Sequence, residues 1–316
     1  MDVCPEMAGM HIPVQMDAGK GQRGMNIQFV IMQLFNGLIL GSIYVILSLG
    51  LTIIFGMLGI INFAHGAFYM FGAFVAYTIV AYLIPNFWVA LIAGPIFMAV
   101  FGAACEAFIL RRLYNLPPLY VMLFTFGLML VLQDFIRMVY GAAGVPFRAP
   151  SSLDGAINLG FMFYPKYRIF LIVITSLCSL GVWLFLSKTK LGAIIRAGTD
   201  NSVMVDALGI NISRIFTFVF GLGIGLAGLA GVLAAPLQNV SHLMGVDFLV
   251  DCFVVVVVGG MGSISGSIVG GLIVGEIIAF GVMVWPPMAH TLIYIFMAAF
   301  LLIRPRGLFG REAFHE

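Results

Sequence analysis

Residues 56–66 read Gly56-Met-Leu-Gly59-Ile-Ile-Asn62-Phe-Ala-His65-Gly66, with an apolar run on each side, residues 28–54 before and 67–83 after. Each run approaches or exceeds the roughly 20 residues that a helix needs to cross a hydrocarbon layer. Three glycines with Asn62 and His65 between them predict an interruption rather than one continuous helix. Unwound backbone at membrane depth survives only where protein buries it or where it lines a water-filled cavity. The stretch therefore predicts an all-α fold, a polytopic membrane helical bundle with interrupted helices.

Composition carries the same message. Of 316 residues, 62% are hydrophobic and 9% charged, whereas a soluble domain carries roughly 25% charged residues. The net charge of +2 follows membrane sidedness, so no nucleic-acid partner is expected. Cys4 lies in a polar stretch, and Cys105, Cys178 and Cys252 fall in apolar runs without disulfide or metal spacing. Neither a disulfide framework nor a metal is expected. Residues 1–24 are polar, rich in Gly and Met, and lack the apolar core of a signal peptide. They are expected to be a disordered tail, or a mis-assigned start with Met25 as the true one; residues 25–316 are the membrane domain.

Nine apolar runs are candidate spans: residues 28–54, 67–83, 88–110, 119–139, 169–186, 215–235, 248–258, 267–284 and 288–303. The seventh is a short valine run that ends in Gly259-Gly-Met-Gly262-Ser-Ile-Ser-Gly266. Arg111, Arg112, Lys188, Lys190, Arg196, Arg214, Arg304, Arg306 and Arg311 can share one face. Basic residues favour the cytoplasmic side, and this sidedness holds only if the valine run and the helix after it both cross. The expectation is eight or nine spans with a cytoplasmic C-terminus and an extracytoplasmic N-terminus. Trp88 and Trp285 then lie near the outer interface and Trp183 near the inner one. In residues 51–74 and 253–277 alike, an apolar segment meets a glycine-punctuated break and resumes as a Gly-rich helix. Read as inverted repeats, two such halves are a transporter pattern whose breaks point to the central pathway.

Polar residues inside the runs are the candidates for chemistry. Asn62, His65 and Gly66 in the first break can line a translocation pathway or tie the freed backbone together. Glu276 lies near the middle of a span, where a carboxylate is costly and faces the bundle interior; it is a pathway element or a bonded residue at a helix contact. Asp134 and Arg137 can pair three residues apart, Glu106 is a local partner for Arg111 and Arg112, and Asp247 with Asp251 suits the positive end of a helix dipole. Gly223-Ile-Gly225-Leu-Ala-Gly228 spells a dinucleotide fingerprint, but inside a membrane run and without a preceding strand. With Gly221, Ala227 and Gly231 it instead lets helices approach closely. No phosphate loop and no nucleophile-base constellation is visible, so an enzyme is not expected.

Residues 188–214 are a polar interruption holding the signals of a short helix. Asp200, Asn201 or Ser202 can cap it, Val203, Met204, Ala207 and Leu208 form an apolar stripe, and Gly209 ends it. Flanked by positive charge, such a helix is suited to docking; the plainer reading is a connecting loop.

Five motifs carry a resemblance: Asn36-Gly-Leu-Ile-Leu-Gly-Ser-Ile-Tyr44, Gly59-Ile-Ile-Asn-Phe-Ala-His-Gly66, Arg196-Ala197 with Ala207-Leu-Gly-Ile-Asn211, Gly259-Gly-Met-Gly-Ser263 and Arg304-Pro-Arg-Gly-Leu-Phe309. In that order they resemble the LivH-type permease, the branched-chain amino acid permease of bacterial ABC importers, over nearly all of the chain after Met25. The resemblance implies a multi-pass subunit of the bacterial inner membrane, surrounded by lipid. It implies a LivM-like permease partner, two ABC ATPase subunits and a periplasmic solute-binding protein. No cofactor belongs to this chain, ATP being hydrolysed by the partner subunits. The ATPase-coupling helix maps onto Arg196, Ala197, Asp206, Ala207, Leu208, Gly209 and Asn211. The resemblance implies transport of branched-chain or other neutral amino acids; relatives that carry urea, short amides or aromatic acids share the fold, and urea or a short amide is the alternative substrate class. A stand-alone secondary transporter is the competing reading from outside the class.

Overall fold

The computed structural model describes residues 27–158, 160 and 163–310. The expectations for residues 1–24 and for Arg311 lie outside the described residues. Eleven α-helices are described: α1 (Ile27–Leu58), α2 (His65–Thr78), α3 (Phe87–Phe108), α4 (Pro118–Tyr140), α5 (Lys166–Lys188), α6 (Lys190–Asp200), α7 (Ser202–Ala207), α8 (Ile212–Ala234), α9 (Met244–Gly259), α10 (Ile264–Val284) and α11 (Ala289–Ile303). A two-stranded antiparallel hairpin, β1 (Ala156–Asn158) and β2 (Phe163–Pro165), stands between α4 and α5. Eight helical segments among the described residues are long and apolar enough to cross a membrane. The chain is a multi-pass membrane protein.

The ninth candidate, α9, has 16 residues, a rise of about 24 Å. Its direction follows from its neighbours. Thr52 bonds Ser267, and Gly41 lies against Leu272, so α1 and α10 are antiparallel. Gly259 meets Gly266 and Val255 lies by Gly270, so α9 and α10 form an antiparallel hairpin. Phe309 donates to the Gly259 carbonyl at 3.0 Å, which returns the end of α11 to the end of α9. The basic residues after α3, around α6 and after α11 thus share one end, the basic end, and the β-hairpin marks the other.

The same registers correct one expectation. Because α1 and α9 are both antiparallel to α10, they run in the same direction. A Cβ on Gly56, just before the first break, would lie 3.4 Å from Gly262 in the second. Both breaks therefore meet at the basic end. The inverted relation expected between the halves is not carried by this pair: the glycine pattern repeats, but in parallel.

Lipid supplies no hydrophobic drive between helices, so they associate by close packing of small residues. α8 is the centre of that packing. Gly223 faces Gly50 of α1, Gly225 and Gly228 face α3 at Pro95 and Met98, and Gly231 lies on the Tyr69 carbonyl of α2. The letters that spell a nucleotide fingerprint are thus the contact surface of the central helix. We expect Gly231→Ala to lower the unfolding temperature, since its Cβ would strike α2 backbone, at a cost of about 1–3 kcal/mol. Gly127→Ala, on an α4 face with open space around it, should leave the temperature unchanged or raise it. Thermal unfolding of the purified protein, followed by size-exclusion chromatography, checks both.

Candidate functional site

The first break is built from backbone and three polar side chains. Gly59 ends α1 with φ +66°, a conformation that favours glycine, and its N–H bonds the Phe55 carbonyl at 2.8 Å. The Asn62 Oδ1 accepts from the Ala64 N–H at 3.0 Å, and the Asn62 carbonyl accepts from the His65 N–H at 3.2 Å. Thr125 of α4 accepts from the Phe63 N–H at 3.2 Å. The His65 Nε2 lies 2.9 Å from the Leu47 carbonyl of α1. Eleven residues separate Leu47 from the end of α1 at Leu58, about 16 Å of helix rise, so α2 starts deep inside the bundle.

Asn62 and His65 are 1% and 0% exposed, and Gly66 is pressed on the Gly245 carbonyl at the start of α9. Asn62 bonds within the break, His65 ties α2 to α1, and Gly66 lets α2 approach α9. The Asn62 Nδ2 and His65 Nδ1 remain without a hydrogen-bond partner.

Glu276 of α10 lies apart from them, toward the other end. Its carboxyl occupies the space that a side chain at Gly37 of α1 would fill, and its Oε2 is buried without a partner. Around it the Gln33 amide donates to the Ala279 carbonyl, Asn36 to Gln33 at 3.4 Å, and Arg168 of α5 to Asn36 at 2.8 Å. The chain Arg168–Asn36–Gln33 ties α5, α1 and α10 together.

Asp251 differs from the expectation. α9 begins at Met244, earlier than its apolar run, so Asp247 takes the first turn while Asp251 lies two turns in. There it is 2% exposed and accepts from Tyr44 at 2.6 Å and Tyr294 at 3.4 Å, with the His290 Nδ1 3.5 Å away. It is a three-helix junction of α1, α9 and α11 rather than a dipole partner. Asp134 and Arg137 pair as expected at 3.2 Å, on the surface.

At the basic end, Glu106 is fully buried. It pairs with Arg111 at 3.1 Å and accepts from Tyr114 at 3.1 Å and Thr217 at 2.5 Å, which joins α3 to α8. Burial pushes the Tyr114 phenol up, and the adjacent Glu106 charge pushes it the same way. Beside this junction the segment expected to dock forms two helices rather than one. Thr189 caps α6 through the Gly192 N–H at 3.0 Å, and Asn201 caps α7 through the Met204 N–H at 2.9 Å. Arg196 and Ala197 belong to α6, the first partly buried and the second exposed. Asp206, Ala207, Leu208 and Gly209 are exposed, Gly209 ends α7 at φ +84°, and Asn211 caps α8 through the Arg214 N–H at 3.1 Å. Val203, Met204 and Leu208 are 78%, 63% and 76% exposed.

A feature missed in the sequence lies between α5 and α10 over α1: a cleft of about 410 Å³. Ser42, Thr175, Ser176, Ser179 and Ser265 bring hydroxyls to it. The spacing of the three α5 residues on one helical face was the available signal.

The profile of the family described as "Branched-chain amino acid transport system / permease component" matches residues 33–303. The chain is 32% identical over 293 residues to the high-affinity branched-chain amino acid transport system permease protein BraD of Pseudomonas aeruginosa, covering 88% of this chain and 95% of that one. It is 29% identical over 298 residues to the permease protein LivH of the same kind of system in Escherichia coli, covering 90% and 96%. Similarity extends to the permease protein LivM of Escherichia coli, at 25% identity over 71% of this chain and 58% of that protein. No solved structure matches the chain.

The break geometry makes a direct expectation. Asn62→Ala removes the acceptor for the Ala64 N–H and should cost about 1–3 kcal/mol, the value of leaving a buried donor unpaired. Asn62→Asp keeps that oxygen and should cost less at a pH low enough to keep the carboxyl neutral. Thermal unfolding of both variants separates hydrogen bonding from a purely steric role, which would rank them alike.

Proposed function

The chain belongs to this family of branched-chain amino acid transport permease components, and on that premise we propose that it is a permease subunit of an ABC importer for branched-chain amino acids. The basic end is the cytoplasmic face of a bacterial inner membrane, in accord with the distribution of Arg and Lys. A LivM-like permease is its partner in the membrane, a pairing supported by its similarity to both permease types. Two ATPase subunits and a periplasmic binding protein complete the machine.

The observation that carries the energy-coupling part of the reading is α7. A six-residue helix capped at both flanks holds Val203, Met204 and Leu208 out of the protein at the basic end. Covering one such side chain contributes about 1.5–3 kcal/mol, so three together make an anchor for a cytoplasmic ATPase. Asp206, Ala207 and Gly209 frame the anchor, and Arg196 and Ala197 of α6 carry it. Asn62, His65 and Gly66 serve the pathway by holding the wall of the break, and Glu276 by shaping the contact of α10 with α1.

Exchange of Leu208 for Asp leaves the packed face of α7 intact, because Leu208 touches solvent and Val205 is the buried residue. In vesicles reconstituted with all subunits, Leu208→Asp should retain membrane insertion and lose at least tenfold in ATP-driven leucine uptake, a docking loss of about 1.4 kcal/mol or more. Uptake at the parent rate would refute docking through α7.

A further inference from the structure

From the cleft between α5 and α10 we propose that this surface, centred on Thr175, Ser176 and Ser179 of α5 and Ser42 of α1, carries the solute, and that it selects a net-neutral molecule with an ammonium group and an apolar side chain. The proposal deepens the permease reading and rests on it.

Hydroxyl orientation is the first argument. Ser42 donates to the Leu38 carbonyl at 2.6 Å, Thr175 to Leu171 at 2.8 Å and Ser179 to Thr175 at 2.8 Å. A hydroxyl has one proton and two lone pairs. With the proton held by its own helix, each of these three oxygens turns its lone pairs to the cleft and suits an ammonium group, which has three donors and no acceptor. The Ser176 and Ser265 hydroxyls, which also line the cleft, have no hydrogen-bond partner among the described residues and keep their protons for a carboxylate.

The remaining lining is the second argument. Val45, Ile268 and Leu272 give the cleft an apolar wall, and no Asp, Glu, Lys or Arg lines it. A solute with net charge would find no counter-ion there, at a steep cost in low dielectric. A zwitterion with a branched apolar side chain leaves no net charge, gives its N–H groups to Ser42, Thr175 and Ser179, accepts at its carboxylate from Ser176 and Ser265, and lays its side chain on the wall. The volume of about 410 Å³ falls in the range of small-ligand sites, roughly 300–1,000 Å³.

Placement is the third. The cleft runs along α10 from Leu272 to Ser265, about 10 Å at 1.5 Å per residue, and ends beside the cap of α10 at the basic end. Its walls also differ in firmness. α1 is packed on α10 along its length, whereas α5 carries exposed Leu177, Leu180 and Trp183. The α5 wall thus packs on the core by one face, through Tyr167, Leu171 and Thr175, and leaves its other face uncovered.

The test uses the full transporter in proteoliposomes, with Cys4, Cys105, Cys178 and Cys252 replaced by Ala. Ser176→Cys and Ser179→Cys are treated with a membrane-impermeant cationic methanethiosulfonate in each nucleotide state. Leu177→Cys on the outward side of α5 is the control. We expect both cleft positions to react in at least one state, leucine with the binding protein to slow that reaction, and the control to stay unlabelled. Ser179→Leu, which fills the cleft, should cut uptake about tenfold, the scale of a misfit of one or two methylenes, while the complex still hydrolyses ATP. Protection of both positions in every state would mean that acyl chains or a partner helix fill the cleft, and would overturn the proposal. Labelling indifferent to solute, together with undiminished uptake by Ser179→Leu, would overturn it as well. The parent transporter separates the two readings. If it takes up another solute and not leucine, the branched-chain reading fails, and the cleft is judged by the same variants with that solute.

Discussion

Everything in this fold depends on satisfying the backbone where the break between α1 and α2 enters the bundle: Gly59 is exposed at the basic end, whereas Asn62, Ala64 and His65 are buried. There each unbonded N–H or C=O costs several kcal/mol, so the start of α2 needs its partners from protein. The chain solves this locally, with Asn62 and the left-handed turn at Gly59, and through its neighbours, with Thr125 of α4 and Leu47 of α1. Those partners are useful only if α1, α2 and α4 are held in fixed register. That register comes from α8, whose glycines let the backbones of α1, α2 and α3 approach closely.

Two mechanical zones follow. The windows of α1 and α8 most suited to the membrane are 83% buried within the chain, while those of α4 and α5 are 28% buried and that of α11 is 11% buried. The first group is a close-packed core that resists deformation. The second presents most of its surface to lipid or to another subunit. The breaks and the Glu106 junction tie the core, the Asp251 junction fastens α11 to it, and the cleft lies where α5 of the rim meets it. Stability and adaptability are thereby assigned to different helices of one chain.

Much of this was legible in the sequence, for identifiable reasons. The break at residues 56–66, the cap at Asn201 and the stop at Gly209 depend on local chemistry, and the structure has each where glycine and Asn demand it. The glycines of α8 announced close contact because no other role fits them in an apolar run. The direction of the second glycine-rich segment was not legible, because a one-dimensional pattern is blind to which end of the bundle it reaches. Asp251 was misplaced because its helix starts before the apolar run does, and its partners Tyr44 and Tyr294 lie on other helices. The cleft escaped for the same reason. Ser and Thr in membrane helices are common, and only the third dimension shows that those of α1, α5 and α10 face one space.

The position of α7 gives the two zones a mechanical connection. α6, which carries it, is wedged by Gly198 against Met57 at the end of α1 and against Ile212 at the start of α8. Gly56 in turn abuts Gly262 between α9 and α10. The helix that carries α7 is thus seated on the ends of α1 and α8, beside the contact of Gly56 with Gly262. α5 leads directly into α6 through the Thr189 cap. Of the helices seated around α6, it has the smallest buried share, 28% against 83% for α1 and α8, and it forms one wall of the space between α5 and α10.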